Sequence, residues 1–450
     1  MVVFVVVSCI DATALWRTRD RHLGVHEDHF DKGVSLYETG SMSAGPKPMV
    51  FRAPGYPVFV ATILAVKDAA ISAARPQSGD ARPTGGRRVA MLAAHAALLG
   101  VLGAFILWFA IDRAGMFAAA ACGVAVGCNP LLLLLAGHVS YELLHLVLVC
   151  VATLMLAKLA GAGEPGGAAL FGNGLVWGIA TLVKSVTLVA PAFLLLWASF
   201  HYGLRKATRT TAFFAAGLLL VVAPYTARNY AVTGRLIPVN AQASFALWGS
   251  SLERIPSGEN YLHWRNIWFR SAMKTYTEIT GTPDYSVAVF EDHVLELSDR
   301  FRVMAGDNLR RDPTVYTYNV AHNGVMFVVD PPTSYYFAGY AWPRDGRAAR
   351  FAAGLSLGVM TVIGLIAMVI GCLRGDPRWT VVLALFVMMW AAHALTFLEA
   401  RYLYIKLPTI AAAFVLACVV ASSDGPKWRR GAVSVATLAA GFSIAGLFAL

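Results

Sequence analysis

The chain has 450 residues, of which 57% are hydrophobic and 14% charged. Soluble domains carry about 25% charged residues, so this composition, with its recurrent long apolar runs, excludes a soluble enzyme, a secreted disulfide scaffold and a disordered regulator. The net charge of +11, from 37 basic and 26 acidic residues, is in a membrane protein first a topology signal, because cytoplasmic loops collect Lys and Arg.

A membrane-spanning helix needs roughly 20 apolar residues. Residues 2–16 form a first, short candidate with almost no flank and without the basic start of a signal peptide; it reads as a late start of the chain. Residues 17–53 are polar. Residues 54–66 are apolar but too short to span, and read as a helix lying at the membrane surface before a Pro/Gly/Arg-rich stretch at 75–88. Spanning candidates follow near 89–111, 116–136, 139–160, 170–183, 185–200 and 211–226, two of them short and separated only by Lys184. After a polar region at 227–348, further candidates stand near 351–373, 379–397, 402–421 and 431–449. The expectation is an all-α polytopic membrane protein with about 11 transmembrane helices. It divides into an N-terminal transmembrane module (1–226) with a first outer loop at 17–88, a large outer loop region (227–348) and C-terminal transmembrane helices (349–450).

Charge tests that topology. With a cytoplasmic N-terminus, the cytoplasmic turns hold Arg113, Lys158, Arg205, Lys206, Arg209, Arg374, Arg378, Lys427, Arg429 and Arg430 against only Asp112, Glu164, Asp376 and Asp424. The 226–348 region holds twelve acidic and twelve basic residues and is neutral. The asymmetry is that of the positive-inside rule, and it puts 17–88 and 227–348 together on the outer side. The basic excess is therefore no sign of nucleic-acid binding. All six cysteines fall inside apolar runs without zinc spacing, as small core residues do. No Walker A or Rossmann glycine pattern stands in strand–helix context, which argues against ATP or NAD chemistry.

The first outer segment reads His26-Glu27-Asp28-His29-Phe30-Asp31. A carboxylate just after a first helix sits at the bilayer's outer face, where it could take a proton from a hydroxyl as general base; a solvated acidic loop is the bland alternative. His22, His26 and His29 at i, i+4 and i+7 share a helix face and, with Asp28, could hold a divalent metal, although three solvated histidines would look the same. Arg52-Ala53-Pro54-Gly55-Tyr56-Pro57 sets a rigid turn before the next helix. Ionisable residues within or at the edge of spans are functional candidates, because they are costly in lipid. Glu142 opens a helix, where it also suits the dipole. Lys184 breaks two short helices, and either snorkels to the interface or contacts a phosphate. Arg228-Asn229-Tyr230 ends one helix and Glu399-Ala400-Arg401-Tyr402 opens another. Arg52, Lys184, Arg228 and Arg401 thus map to one leaflet edge, a convergence that suits an anionic lipid phosphate.

This order of features resembles the bacterial glycosyltransferase family 39 proteins of the GT-C superfamily, which includes protein O-mannosyltransferases and the lipid A aminoarabinose transferase. It runs from an acidic first loop through Arg-Ala-Pro-Gly-Tyr-Pro, Ser-x-Glu at a helix start, a basic residue between two short helices and Pro-x-x-x-Arg-Asn-Tyr to a late Arg-Tyr helix, and covers about 25–410. The resemblance implies a polyprenyl-phosphate-linked sugar as donor, transfer at the outer face of the cytoplasmic membrane, and an acceptor hydroxyl on lipid, glycan or protein. It implies Asp28 as the base, with Glu27 the near rival and Asp31 third. Lys184, Arg228 and Arg401 would hold the donor phosphate, and Arg52, Tyr56, Glu142, Asn229 and Tyr402 would support them. The family often has Arg-Pro where this chain has Lys184-Ser185, so the charge is kept and the arginine fork is lost. Trp248, Trp264, Trp268, Tyr276, Tyr335 and Tyr336 suit either sugar stacking or an ordinary core. A transporter or flippase would share the spans and the buried charges, but should carry inverted repeats and helices broken at mid-membrane, which the sequence does not display.

Overall fold

In a computed structural model the residues described are 1–18, 27–43, 45–74, 86–137, 139–163, 165–252, 261–329, 347–396 and 407–423, with the single positions 436 and 439. The expected span at 431–449, like His22, His26, Glu399, Arg401 and Tyr402, lies outside them. The described residues form helices and no strands. Among the described residues, five helical segments are long and apolar enough to cross a membrane: Arg87–Asp112, Tyr141–Gly161, Ser185–Tyr202, Leu204–Thr233 and Pro377–Ala394. Shorter apolar helices at Val2–Leu15, Met116–Gly127, Gly167–Val183, Met360–Leu373 and Thr409–Cys418 stand beside them. The chain is an all-α, multi-pass membrane protein.

The bundle is built from α1 (Val2–Thr18), α4 (Arg87–Ala114), α5 (Met116–Gly127), α6 (Pro130–Gly137), α7 (Tyr141–Gly161), α8 (Gly167–Val183), α9 (Ala190–Tyr202), α10 (Leu204–Thr233), α16 (Arg347–Leu373), α17 (Pro377–Ala394) and α18 (Leu407–Ser423). Its core runs continuously from Val3 and Val7 on α1 through Leu99, Cys150 and Trp177 to Phe414 on α18. Apolar burial cannot drive association between helices in lipid, so close backbone approach does more of the work. At the α8–α10 crossing, a Cβ on Gly174 would overlap the Phe214 carbonyl, and one on Gly217 the Phe171 carbonyl.

Three expectations change. The apolar run at 116–136 is two helices, because Pro130 has no N–H to offer and keeps Asn129 out of the helical region. The polar first loop contains a helix, α2 (Glu27–Thr39), and the short run after it extends into α3 (Gly55–Ala74), a 20-residue helix packed on α2, α4 and α8. The region 227–348 is also helical: α11 (Ala243–Ser251), α12 (Tyr261–Thr280), α13 (Val287–Asp292), α14 (Val294–Arg311) and α15 (Pro313–Val329). These helices build a second, smaller core around Trp248, Tyr276, Leu297 and Phe301. Trp248 and Tyr276 are therefore core residues here, not a sugar platform. The side chains of Trp264 and Trp268, and all of Tyr335 and Tyr336, lie outside the described residues.

Candidate active site

Of the sequence-predicted residues, Asp28, Arg52, Tyr56, Glu142, Lys184, Arg228 and Asn229 are described, and they lie toward the end of the bundle that carries α2, the 45–53 segment and α11–α15. Two glycines set the approach. A Cβ on Gly33 of α2 would overlap Val60 on α3, so the two helices cross at contact distance. A Cβ on Gly55 would stand 2.7 Å from Leu182 C and Val183 N, so the Arg52–Tyr56 turn rests directly on the last backbone turn of α8. The next residue on α8 is Lys184.

Lys184 is extended (φ −148°, ψ 118°) between α8 and a 3-10 turn at Ser185–Val189. No proline or glycine causes this break. Instead the Thr187 hydroxyl donates to the Lys184 carbonyl (3.1 Å) and lies 2.9 Å from Thr181 Oγ, giving the backbone a local alternative to the helix ladder. The Lys184 ammonium then lies 5.7 Å from the centroid of the Tyr141 ring, at cation–π range. The His29 ring, buried on α2, packs on the same tyrosine with centroids 4.6 Å apart. Two residues before Tyr141, Val139 has φ 47°; a β-branched residue with positive φ is a true outlier, of the kind that collects at functional sites.

Asp28 accepts through Oδ2 from Arg52 Nε at 2.7 Å, with both side chains about a third exposed (33% and 28%). Its Oδ1 has no hydrogen-bond partner among the described residues. Tyr285 lies within electrostatic reach of this pair: partial burial pushes its phenol up, with Arg52 opposing and Asp28 adding. Glu27 begins α2, and its side chain is not described; Asp31 is exposed on the same helix. Tyr56 is buried and its hydroxyl is 3.2 Å from His95 Nε2. His95 Nδ1 lies 2.7 Å from the Ala136 carbonyl, which can only accept, so Nδ1 is the protonated nitrogen and Nε2 accepts from Tyr56. Glu142 is buried at the start of α7, within electrostatic reach of Tyr56.

Arg228 and Asn229 do different work. Arg228 Nη1 donates to the Met49 carbonyl (2.9 Å) and to Asn229 Oδ1 (3.0 Å), and Asn229 Nδ2 donates to the carbonyls of Ile237 (3.0 Å) and Val239 (3.2 Å). The pair braces two irregular segments against the end of α10. Ser185 Oγ donates to Asn240 at 3.1 Å, so the braced segment also touches the residue after Lys184.

Three-dimensional comparison adds to this. No protein-family model matches the sequence, and no curated protein matches it. The chain does resemble solved structures. The archaeal oligosaccharyltransferase AglB from Archaeoglobus fulgidus, solved with an inhibitory peptide and a dolichol-phosphate, matches at TM-score 0.50 and 11% identity over 100% of this chain and 55% of that one. The same enzyme's apo form matches at TM-score 0.50 and 11% identity, over 98% and 56%. The fold is GT-C. ArnT from Cupriavidus metallidurans, solved with undecaprenyl phosphate, also matches, at TM-score 0.40 and 15% identity over 90% of this chain and 77% of that one. The chain spans about half the length of the oligosaccharyltransferase chains it matches.

Several described residues escaped the sequence reading or were read there for another role. His29, read as a possible metal ligand, packs its ring on Tyr141. Lys32 on α2 pairs with Glu291 on α13, both buried, and Lys47 Nζ donates to the Asp292 carbonyl at 2.6 Å; together they fasten α2 and the 45–53 segment to the smaller core. Asp11 is buried on α1, with neither carboxylate oxygen hydrogen-bonded among the described residues. Its signal, a lone acid in an apolar run, was in the sequence. A metal held by His22, His26, His29 and Asp28 finds no support in the residues seen. His29 is turned against Tyr141, and no group of three or more His, Cys, Asp or Glu among the described residues is placed to hold an ion.

Proposed function

We propose that the protein is an integral-membrane glycosyltransferase that moves a sugar from a polyprenyl-phosphate carrier to an acceptor hydroxyl at the outer face of the cytoplasmic membrane, with inversion. The observation that carries this reading is the pairing, at one end of a GT-C bundle, of an oriented carboxylate with a lysine released from the helix ladder. Asp28 is held by Arg52 through one oxygen, which leaves the other to accept a proton. Lys184 stands with its ammonium 5.7 Å from the centroid of the Tyr141 ring. The positive-inside charge pattern supports placing that end outside. A solved protein of this fold holds a dolichol-phosphate, which supports a lipid-linked phosphate as the ligand class.

In this mechanism the carrier phosphate is the leaving group. Negative charge grows on it as the sugar–oxygen bond breaks, and the Lys184 ammonium stabilises that charge. Arg228, through the N–H groups its brace does not use, and Arg401 add to the field. The acceptor hydroxyl attacks the opposite face of the anomeric carbon while Asp28 Oδ1 takes its proton; Glu27, in the same turn of α2, is the alternative base. A single displacement inverts the anomeric centre. Tyr56, Glu142, Asn229 and Tyr402 support the site, and the acceptor is a lipid, glycan or protein hydroxyl.

The test uses purified protein in lipid nanodiscs with a radiolabelled polyprenyl-phosphate sugar. Asp28→Asn should lower the transfer rate by about 10²–10⁴-fold, the range of a positioned general base. Unchanged transfer in the Asp28→Asn, Glu27→Gln double variant overturns the base assignment. Movement of the labelled lipid across sealed vesicles without cleavage of the sugar–phosphate bond overturns the enzyme.

A further inference from the structure

The loop between α12 and α13 holds an exposed aromatic residue in a fixed place. Gly281, with φ 68°, ends α12, and its N–H donates to the Thr277 carbonyl at 2.9 Å. The Thr282 N–H then donates to Thr280 Oγ1 at 3.2 Å. Further on, the Tyr276 hydroxyl accepts from the Ser286 N–H at 3.2 Å and stands 3.5 Å from the Asp284 carbonyl. One phenol of the smaller core thus grips the backbone on both sides of Tyr285. Tyr285 itself is 52% exposed, with its ring 5.6 Å from that of Tyr276 and 5.9 Å from that of Phe290.

Printed contacts join this ring to the candidate base. Phe290 meets Phe51 edge-on at 4.7 Å, the Arg52 guanidinium lies 4.8 Å from the Phe51 centroid, and Arg52 Nε donates to Asp28 at 2.7 Å. The helix that follows Tyr285 is also fastened to the helix that carries the base. Glu291 on α13 pairs with Lys32, one turn along α2 from Asp28, and the Asp292 carbonyl accepts from the Lys47 ammonium. Tyr285 and Asp28 are therefore held relative to each other by two routes, one aromatic and one ionic. Both members of the Asp28–Arg52 pair also act on the Tyr285 phenol, in keeping with that placement.

We propose that Tyr285 is the acceptor platform of the site and that the acceptor is a glycan, whose pyranose lays its C–H face on the Tyr285 ring. A pyranose has an apolar face and a rim of hydroxyls. Here an exposed ring is bordered by Asp28, Arg52 and the exposed Asp284, which suit such a rim. The negative face of an aromatic ring attracts the positive edge of a C–H bond, and a tyrosine loses little conformational freedom on binding. A lipid alcohol has no use for a charged rim. An extended peptide would seek open backbone groups, and this loop has its own tied at Thr282, Asp284 and Ser286. The inference rests on the transferase reading, and it puts the acceptor on the Asp28 side and leaves the donor to Lys184.

The test is saturation-transfer difference NMR on the full chain in nanodiscs free of glycoside detergent. The probes are the methyl pyranosides of glucose, galactose, mannose and N-acetylglucosamine. At least one should bind, with saturation strongest along one ring face. Tyr285→Ala, and Tyr285→Leu with its apolar bulk but no ring, should weaken that binding about threefold to tenfold, the worth of one aromatic contact. Tyr285→Phe, which keeps the ring, should bind as the wild type does. No pyranoside binding to the wild type, or binding that the folded alanine and leucine variants retain in full, overturns the inference. So does a serine-containing peptide or a long-chain alcohol that binds through Tyr285 while the pyranosides do not. Transfer from the radiolabelled carrier is followed in parallel. Transfer that proceeds without Tyr285-dependent pyranoside binding overturns the platform alone. Tyr285-dependent binding without any transfer overturns the transferase reading and keeps the ring as a glycan site.

Discussion

Lys184 and Arg228 carry the same charge at the same end of the bundle, and their surroundings differ in kind. Lys184 faces a ring, with its ammonium 5.7 Å from the Tyr141 centroid. Arg228 faces a ring too, Tyr225 at 5.5 Å, but its Nη1 also donates to the Met49 carbonyl and to Asn229, which in turn holds the carbonyls of Ile237 and Val239. Carbonyl partners use a guanidinium's donors to fix the chain, which a ring face does not. Both cations satisfy the same sequence description, a basic residue at a helix end. Under the proposed function Lys184 meets the phosphate directly, and Arg228 adds to the field from a braced position that also shapes the site.

The comparison breaks most visibly if the two are neutralised in parallel. Lys184→Gln should lower kcat/KM by about 10²–10³-fold, the effect of removing one preorganised charge from a developing anion, with an unchanged melting temperature in detergent. Arg228→Gln should behave the other way, destabilising by about 1–3 kcal/mol as the Met49 carbonyl is left unmet, with a smaller loss of turnover in the protein that stays folded. Equal activity losses at equal melting temperatures would put both residues on the phosphate and erase the distinction. Gly55→Ala sharpens it from the backbone side. The added Cβ meets the α8 backbone rather than a movable side chain, so overpacking should cost about 1–3 kcal/mol. It should also raise donor KM, because the turn it displaces rests on Leu182 and Val183, directly before Lys184; an unchanged KM would detach that turn from the lysine.

Much of this architecture was legible in the sequence, and the illegible parts share a cause. The break at Lys184 and the helices α7 to α9 follow from hydropathy and local chemistry and stand close to where the sequence puts them, while α3 begins already at Gly55 inside the expected Pro54–Pro57 turn and α10, at Leu204–Thr233, outruns the expected 211–226 at both ends. The split at Pro130 was readable from the proline alone, yet an unbroken apolar run conceals it. What the sequence hid is pairing at a distance. Lys32 and Glu291 are unremarkable charges in polar stretches until folding buries them together. Trp248 and Tyr276 look like sugar platforms in a region read as loop, and become core once α11, α12 and α14 pack.

The smallest effect bears on why Lys184 is available at all. Thr187→Val keeps the shape of the side chain and removes the hydroxyl that donates to the Lys184 carbonyl. Losing one such bond should cost about 0.5–1.5 kcal/mol, read as a small drop in melting temperature. Its effect on donor KM separates two origins of the break. If the local hydroxyl holds residue 184 out of the helix, valine favours a continuous ladder from α8 into α9, the lysine turns away from Tyr141, and donor KM rises. If the Arg52–Tyr56 turn seated on Leu182 and Val183 holds it, stability falls slightly and KM stays put, while Gly55→Ala alone moves it. Thr187→Ser restores the hydroxyl and should return both quantities to their starting values under the first origin. Thr187 Oγ also lies 2.9 Å from Thr181 Oγ, where either hydroxyl can be the donor, so valine removes that contact as well. Stability responds to both contacts and donor KM to the break alone, which makes the KM measurement the more decisive of the two.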